Sequence, residues 1–405
     1  MSSNDPAVDA FSSAASPPLA GPDAVLGRRT FLAQVGMATG VALGATFPTN
    51  AQAEESPTEA IKRIVAARQI INVHEHVQGE ANTETLLREM DSLGIGRTIL
   101  VGSPWFTLSL YEQAGFTRHD ENNAAIVAMA RAHPERFEAW PTVNPLEADK
   151  VDKLKALVEQ GATGAKLYLG HGYTASRRNT YIFHPIAMDD GRMMGLYEYL
   201  AAAHLPVCFH VNPAKPGFMD EFVTVLRRFP DLKVNTPHYM LSSMVHSRLY
   251  EMLETFPHLM VDISFGHDDY LRTGLQRISS STGAFQRLFS TFPERFLFGT
   301  DYVVTSLRPQ SHDWYAERTQ AYLDMLSRPT YTTPLLPGRT LNGLALSSHL
   351  IENLLYRNYG AFQRSQPEGT VIARELAWGR LRVPSVNRAP GEALDPPARR
   401  RRRRG

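Results

Sequence analysis

Two histidines stand two residues apart in a short apolar segment, Ile70–Val77. On a β-strand, residues two apart point to the same face, so His74 and His76 project together and Glu75 points to the opposite face. Two imidazoles on a rigid strand are a ready pair of ligands for a divalent metal. A pair of hydrogen-bonded histidines near a strand end would give the same pattern. The choice between the two depends on what the rest of the chain supplies.

Later apolar segments supply residues that could complete such a site. Lys166 lies in one of them, His210 and His238 lie near the ends of two more, and Asp301 ends the last. Histidines from three segments with one aspartate form a nitrogen and oxygen ligand set suited to Zn²⁺, Mn²⁺ or Fe²⁺. A lone buried histidine or a helix-capping aspartate is usually structural, but the recurrence at several segment ends favours a shared site.

The elements that must position these residues alternate along the chain. Helical spacing of apolar residues separates eight β-type segments, and a last helix is predicted over 341–359. This alternation predicts a single-domain α/β protein with a (β/α)₈ TIM barrel. A doubly wound open sheet is the competing arrangement, but residues from the first, fifth, sixth and eighth strands converge most readily in a closed sheet. The predicted strands are 70–77, 98–102, 137–143, 164–169, 206–212, 233–238, 259–264 and 295–301.

The order His-x-His, His210, His238 and Asp301 on these strands resembles the amidohydrolase superfamily. Within it, the chain is most similar to the amidohydrolase-related branch, which includes aminocarboxymuconate-semialdehyde decarboxylase and lactone and amide hydrolases. The resemblance covers roughly residues 70–362, including the segment 350–358. One departure is Asn72, where many relatives carry aspartate.

The resemblance implies that His74, His76, His210 and Asp301 bind the metal, most simply one Zn²⁺ per chain. It places His238 beside the metal as the group that polarises the substrate or shuttles protons. A bound divalent ion acidifies water and polarises a carbonyl, and Asp301 can accept a proton. We therefore expect a hydrolase of amide, lactone or ester bonds. A non-oxidative decarboxylase of an aromatic or muconate-type acid is the alternative, and a non-catalytic periplasmic binder is a third.

Lys166 is ambiguous. In two-metal relatives a carboxylated lysine on the fourth strand bridges the ions, whereas an ordinary lysine pairs with a substrate anion or packs its stem. Loop residues after the strands could contact a small-molecule substrate that carries a ring, and an arginine among them could hold a carboxylate. These candidate substrate-binding residues are Trp105, Tyr173, Arg177, Tyr239 and Tyr302.

The first 53 residues carry an export pattern. Arg28 and Arg29 precede a weakly apolar stretch that ends in Ala51-Gln52-Ala53. This resembles a twin-arginine signal peptide with a small-x-small cleavage site. We expect cleavage after Ala53, recognition by the twin-arginine translocation machinery, and a periplasmic or secreted mature protein.

Composition bounds the remaining possibilities. Of the 405 residues, 43% are hydrophobic and 20% are charged, as in a globular protein. Cys208 is the single cysteine, which excludes an internal disulfide. The net charge of the chain is +1, and the six arginines at 399–404 contribute more positive charge than this. The rest of the chain is therefore acidic and does not suggest a nucleic-acid binder. We expect a catalytic barrel over 54–365, an arginine-rich, disordered tail over 366–405 and no stable membrane span; self-association is left open.

Overall fold

The computed structural model describes residues 55–110, 115–176, 179–213, 215–241 and 246–365. The side chains of residues 172–176, 179–182, 241 and 246 are not described. The predicted signal over 1–53, the predicted tail over 366–405 and Arg177 therefore lie outside the described residues.

The strands run almost entirely parallel. They are β1 Ile70–Val77, β2 Ile95–Val101, β3 Phe137–Trp140, β4 Ala165–Leu167, β5 His171–Ser176, β6 Asn179–Phe183, β7 Val207–Phe209, β8 Val234–Thr236, β9 Leu259–Asp262, β10 Phe296–Leu297, β11 Tyr302–Val304, β12 Thr330–Tyr331 and β13 Leu341–Asn342. The antiparallel pairs β5–β6 and β12–β13 are additions to the parallel set.

The parallel strands close into a (β/α)₈ TIM barrel. One set pairs in the order β11-β1-β2-β3, and a second in the order β10-β9-β8-β7-β4. A parallel bridge between Thr142 and Lys166 joins the two sets at one side. At the other side, the amide of Val73 donates to the carbonyl of Phe298 at 2.9 Å. The closed sheet is the arrangement that the alternation of segments predicts.

The helices lie before, between and after the strands along the chain. They are α1 Pro57–Ala66, α2 Thr83–Leu93, α3 Trp105–Leu108, α4 His119–Ala132, α5 Lys150–Glu159, α6 Gly191–Ala202, α7 Phe218–Arg228, α8 His246–Thr255, α9 Asp268–Ser280, α10 Thr282–Thr291, α11 His312–Ser327, α12 Ser348–Glu352 and α13 Asn358–Arg364. A turn of π-helix, Asn353–Arg357, joins the last two. Among the described residues, every helix is too short or too polar to cross a bilayer.

An extra residue in β1 sets which side chains face the barrel axis. Between Asn72 and Glu75 the register against β2 shifts by one residue, which is a β-bulge. Val73 packs into an apolar cluster inside the barrel. Asn72 and Glu75 lie on the opposite side and bond to each other at 2.7 Å. The bulge lets an apolar residue fill the barrel while His74, next along the chain, faces the same interior.

The interior cluster closes the barrel below the histidines. We call this set the apolar plug: Val73, Ile99, Val101, Trp140, Cys208, Met260 and Leu297, together with Tyr359 and Phe362 of α13. Its members come from six strands and the last helix, and each is less than one tenth exposed. Layers of side chains from alternate strands fill a TIM barrel in this way.

Three of the predicted elements are wrong in detail. The eighth strand is not continuous over 295–301 but splits into β10 and β11 on either side of Asp301, whose φ of +58° bends the chain. The last helix begins at Ser348, capped by the hydroxyl of Ser347, because Leu341–Asn342 pairs as a strand instead. Helix α9 was missing from the sequence prediction although Leu271, Leu275 and Ile278 repeat at helical spacing.

Candidate metal centre

Three histidines present a ring nitrogen to one carboxylate. Nε2 of His76 lies 2.9 Å from Oδ1 of Asp301, and Nε2 of His74 lies 3.2 Å from the same oxygen. Nε2 of His238 lies 3.6 Å from Oδ2. The three imidazoles are buried, and the Asp301 side chain is 19% exposed. The structure thus brings four of the predicted site residues together at the carboxyl ends of the strands.

The other ring nitrogen of each histidine is held by a neighbouring polar group. Nδ1 of His74 faces Oδ2 of Asp262 at 3.3 Å, and Nδ1 of His76 lies 2.7 Å from the Ser103 hydroxyl. Nδ1 of His238 lies 3.0 Å from the Ser264 hydroxyl. An acceptor at Nδ1 keeps the proton there and leaves the lone pair on Nε2 for a metal.

The backbone around Asp301 is built for close approach. Its amide donates to the carbonyl of His74 at 2.7 Å, which fastens the aspartate to β1. Gly266 has a φ of +65°, and a Cβ there would lie 2.2 Å from Oδ2 of Asp301. Position 266 therefore requires glycine for two reasons, the left-handed backbone conformation and the lack of room for a Cβ beside Asp301.

His210 lies at the edge of the cluster. It follows β7, and its ring centroid is 4.8 Å from that of His238 and 4.1 Å from that of His171. Its Nε2 is buried and has no hydrogen-bond partner within the described part of the chain. A buried nitrogen without a partner costs free energy unless a ligand satisfies it. The donor atoms of His74, His238 and Asp301 lie within 4.8 Å of one another, which fits a divalent metal, and His210 lies beside this group, in ring contact with His238.

Lys166 is fully buried beside the same cluster. Its Nζ lies 3.0 Å from Nε2 of His74 and 3.2 Å from Sγ of Cys208. An ammonium at this distance opposes a cation on His74, so metal binding requires Lys166 to swing away, lose its charge or carry a carboxyl group. Whether Lys166 bridges two metal ions or acts as an ordinary lysine therefore depends on what becomes of its contact with His74 when a metal binds.

The electrostatics favour neutral imidazoles around an anionic carboxylate. Burial, and next the charge of Lys166, lowers the pKa of His74 to about 4. Burial is also the main reason that the pKa values of His76 and His210 lie below the ordinary value. Burial works against ionisation of Asp301, but the neighbouring histidines outweigh it and hold the pKa of this carboxyl well below its usual range. Neutral nitrogen and anionic oxygen are the forms that bind metals.

Three of the predicted substrate-binding residues have described side chains, and each of these packs against other side chains of the protein. Trp105 lies in α3 with the guanidinium of Arg118 stacked 4.2 Å from its ring. Tyr239 is fully buried among core aromatics, and Tyr302 packs on Trp314 in a similar way. Tyr173 lies in β5, where its side chain is not described.

Sequence reasoning missed Asp262, Ser264 and Ser103. Asp262 accepts from the Asn235 amide at 3.0 Å and from the backbone amides of Ser264 and His238 at 3.1 and 3.3 Å. A carboxylate at the end of the otherwise apolar run Leu259–Asp262 was the available signal. Such a residue has to be paired to be buried.

The chain matches the profile of a known family. Residues 71–358 match the amidohydrolase family described as Amidohydro_2. No curated protein matches the chain in sequence.

Solved structures resemble the chain distantly. An uncharacterised TIM-barrel protein from Bordetella bronchiseptica is 18% identical, with a TM-score of 0.47 over 75% of this chain and 90% of the other. A probable 2-pyrone-4,6-dicarboxylic acid hydrolase from Acinetobacter baumannii is 13% identical, with a TM-score of 0.48 over 73% and 99%. The 5-carboxyvanillate decarboxylase from Sphingomonas paucimobilis is 15% identical, with a TM-score of 0.44 over 73% and 99%.

Proposed function

Because the chain belongs to the amidohydrolase family, we propose that it is a metal-dependent hydrolase of an amide, lactone or ester bond. The observation that carries the proposal is the contact of Asp301 with the Nε2 atoms of His74, His76 and His238. One anionic carboxylate is thereby held between two candidate ligands and one candidate proton carrier. Asp301 would then serve both as a metal ligand and as the base that accepts a proton from water.

His74, His76 and Asp301 would hold the ion, with His210 as the fourth ligand. When bound, a divalent ion there supplies a Lewis acid that polarises a carbonyl and lowers the pKa of water. Zn²⁺ is our first expectation for this donor set, followed by Mn²⁺ and Fe²⁺. The contacts of the Nδ1 atoms with Asp262 and Ser103 keep the imidazoles of His74 and His76 oriented for this role.

Asp301 accepts the proton of the attacking water, and His238 passes a proton to the leaving group. The carboxylate suits the first role because it is anionic and its side chain is 19% exposed, so water reaches it. His238 suits the second because its Nε2 lies 3.6 Å from Oδ2, while Ser264 fixes the other side of its ring. Proton transfer by positioned groups of this kind contributes about 10²–10⁴-fold to a rate.

Non-oxidative decarboxylation is the second candidate, and one observation favours it. Lys166 places an ammonium inside the barrel, 3.0 Å from His74. A cation at that depth is suited to pair with the carboxylate of a substrate. The same ligand set would then stabilise the charge that develops as carbon dioxide leaves.

One experiment separates the two candidates. The metal-loaded protein is incubated with a panel of lactones, amides and aromatic carboxylates in ¹⁸O-labelled water. Hydrolysis incorporates ¹⁸O into the product without release of carbon dioxide, and this is the result that we expect. Stoichiometric carbon dioxide without ¹⁸O uptake would replace the hydrolase by the decarboxylase. Asp301→Asn is the inactive control.

Metal content tests the site itself. We expect about one ion per chain in the wild type by elemental analysis, and its loss when His74 and His76 are both replaced by alanine. Lys166→Met should bind zinc at least as tightly as the wild type, because the opposing ammonium is gone. Loss of metal in this variant would instead indicate a carboxylated lysine that bridges two ions.

We also propose that the protein is exported by the twin-arginine machinery, with cleavage after Ala53. The support is the sequence alone, namely Arg28 and Arg29 followed by the weakly apolar stretch. The mature protein should begin at Glu54 in the periplasmic fraction. Replacing both arginines with lysine should keep the uncleaved chain inside the cell, and normal cleavage of that variant would refute the proposal.

A further inference from the structure

A second group of metal-type ligands lies outside the central cluster. His119 begins α4, Asp120 follows it, and Glu147 lies in the segment that joins β3 to α5. Nε2 of His119 is 3.4 Å from Oδ1 of Asp120 and 3.4 Å from Oε1 of Glu147. The three donor atoms all lie within 4.8 Å of one another.

The imidazole of His119 is buried, with 6% of the residue exposed, and its ring nitrogens lack hydrogen bonds to the described residues. Its ring packs against that of Phe116 at a tilt of 58°, with the centroids 4.9 Å apart, so packing restrains the position of Nε2. A buried polar atom that faces two carboxylates without bonding to either needs a partner of another kind.

The separations fit the geometry of a metal. Zinc takes imidazole nitrogen and carboxylate oxygen at about 2.0–2.2 Å, so that neighbouring donors of a tetrahedron lie roughly 3.4 Å apart. The two measured separations from Nε2 match this edge, and a direct hydrogen bond would be shorter. Three protein ligands leave the fourth position to water.

Lys153 holds the outer oxygens of the same carboxylates. Its Nζ lies 2.8 Å from Oε2 of Glu147 and 3.0 Å from Oδ2 of Asp120. Oε1 of Glu147 receives only a long contact, 3.4 Å from Asn144 Nδ2. The ammonium thus turns the inner oxygens toward His119 and offsets one of the two negative charges. It also makes the site weaker than one with no cation nearby.

We propose that His119, Asp120 and Glu147 form a second divalent-cation site, suited to Zn²⁺ and independent of the central one. It lies at the rim, because the Asp120 side chain is 59% exposed and that of Glu147 is 26% exposed. A bound ion would tie the start of α4 to the segment before α5. It would also brace the Phe116 ring, which lies 6.1 Å from the buried Phe106 ring.

The test is a calorimetric titration of the full-length protein with Zn²⁺. Glu147→Gln keeps the shape of the side chain but removes the negative charge and replaces one acceptor oxygen by an NH₂ donor. Glu121→Gln is the matched control, because Glu121 is an exposed carboxylate of the same helix that pairs with Arg118. Asp120→Asn is a second test at a surface position, and circular dichroism verifies that each variant folds.

We expect the wild type and Glu121→Gln to bind one more Zn²⁺ per chain than Glu147→Gln and Asp120→Asn. The remaining tight binding should be equal in all four proteins, and the lost event should be weakened at least ~10-fold. Equal numbers of bound ions in all four would overturn the proposal. Loss of every binding event in Glu147→Gln would overturn the independence of the two sites.

Discussion

Replacing Asp262 with asparagine should weaken metal binding without touching a ligand. Oδ1 of Asp262 faces the backbone amides of Ser264 and His238, both of which are donors. The amide NH₂ of asparagine must therefore take the Oδ2 position, which faces His74 Nδ1 at 3.3 Å. A donor there forces Nδ1 to accept, and the proton of His74 moves to Nε2. That nitrogen then has no lone pair for a metal.

The expected loss of Zn²⁺ affinity in Asp262→Asn can be estimated from similar contacts of metal-binding histidines in other proteins. Loss of an outer partner of a metal-binding histidine costs about 10–100-fold in affinity, which corresponds to about 1.4–2.7 kcal/mol. The 3.3 Å separation is longer than a strong charge-assisted bond. This places the expected loss near the lower end, and Asn235 adds little to it, because its unpartnered Oδ1 can turn to accept from the new NH₂ group.

The assay is competition for Zn²⁺ between the protein and a chelator of known affinity. Asp269→Asn, an exposed carboxylate at the start of α9, is the matched control and should bind as the wild type does. Equal Zn²⁺ affinity in Asp262→Asn and in the wild type would refute the role assigned to this carboxylate. So would an equal loss in the control.

Three further predictions rest on local contacts. Gly266→Ala should displace Asp301, because the new Cβ would lie 2.2 Å from its Oδ2, and we expect at least ~10-fold weaker Zn²⁺ binding in the chelator assay. Burial opposes ionisation of Asp268, but the hydrogen bonds from Arg318 lower its pKa, so its stabilisation is present above its unfolded pKa and is lost as the pH falls through the folded value. Asp268→Asn should lower the free energy of unfolding at pH 7 by about 2 kcal/mol and flatten its acid dependence in urea titrations at several pH values. Burial raises the pKa of the Cys208 thiol to about 12, so it should react with a disulfide reagent only after unfolding.

The glycine prediction has a control within the chain. Gly338 also has a positive φ, +73°, but a Cβ there would meet nothing within 4 Å. Gly338→Ala carries the same backbone strain without the clash. Weaker Zn²⁺ binding in both variants would attribute the effect to strain, whereas the steric argument requires it in Gly266→Ala alone. For Asp268, an unchanged acid dependence would contradict the assignment, and for Cys208, a fast reaction in the native protein would do so.

The barrel could be predicted from the sequence because its signals are local. Each strand is an apolar run, and the chemistry sits where runs end in polar residues, as at His238 and Asp301. The closed sheet then brings those ends together, as the contact between these two side chains shows. The alternation of apolar strand and helix segments was enough to predict the barrel and the end of it that carries the polar residues.

The features that the sequence did not predict depend on contacts between distant segments of the chain. Nothing local marks Asp262 as the partner of His74, 188 positions away, because a carboxylate at a strand end fits equally well as a helix cap. The break in the eighth strand arises from the bond of the Asp301 amide to the His74 carbonyl. The burial of Tyr239 among core rings follows from packing that its position after a strand does not reveal.

Among the described residues, the apolar plug fills the interior of the barrel on the side away from the central histidines. Trp140, Leu297 and their neighbours occupy the interior from below, so a reactant that reaches Asp301 arrives from the carboxyl side of the strands, and its product leaves by the same way. In the proposed reaction, the product would then have to leave before the next substrate molecule could enter. We expect the last product to leave to inhibit competitively, which initial-rate measurements with added product would check.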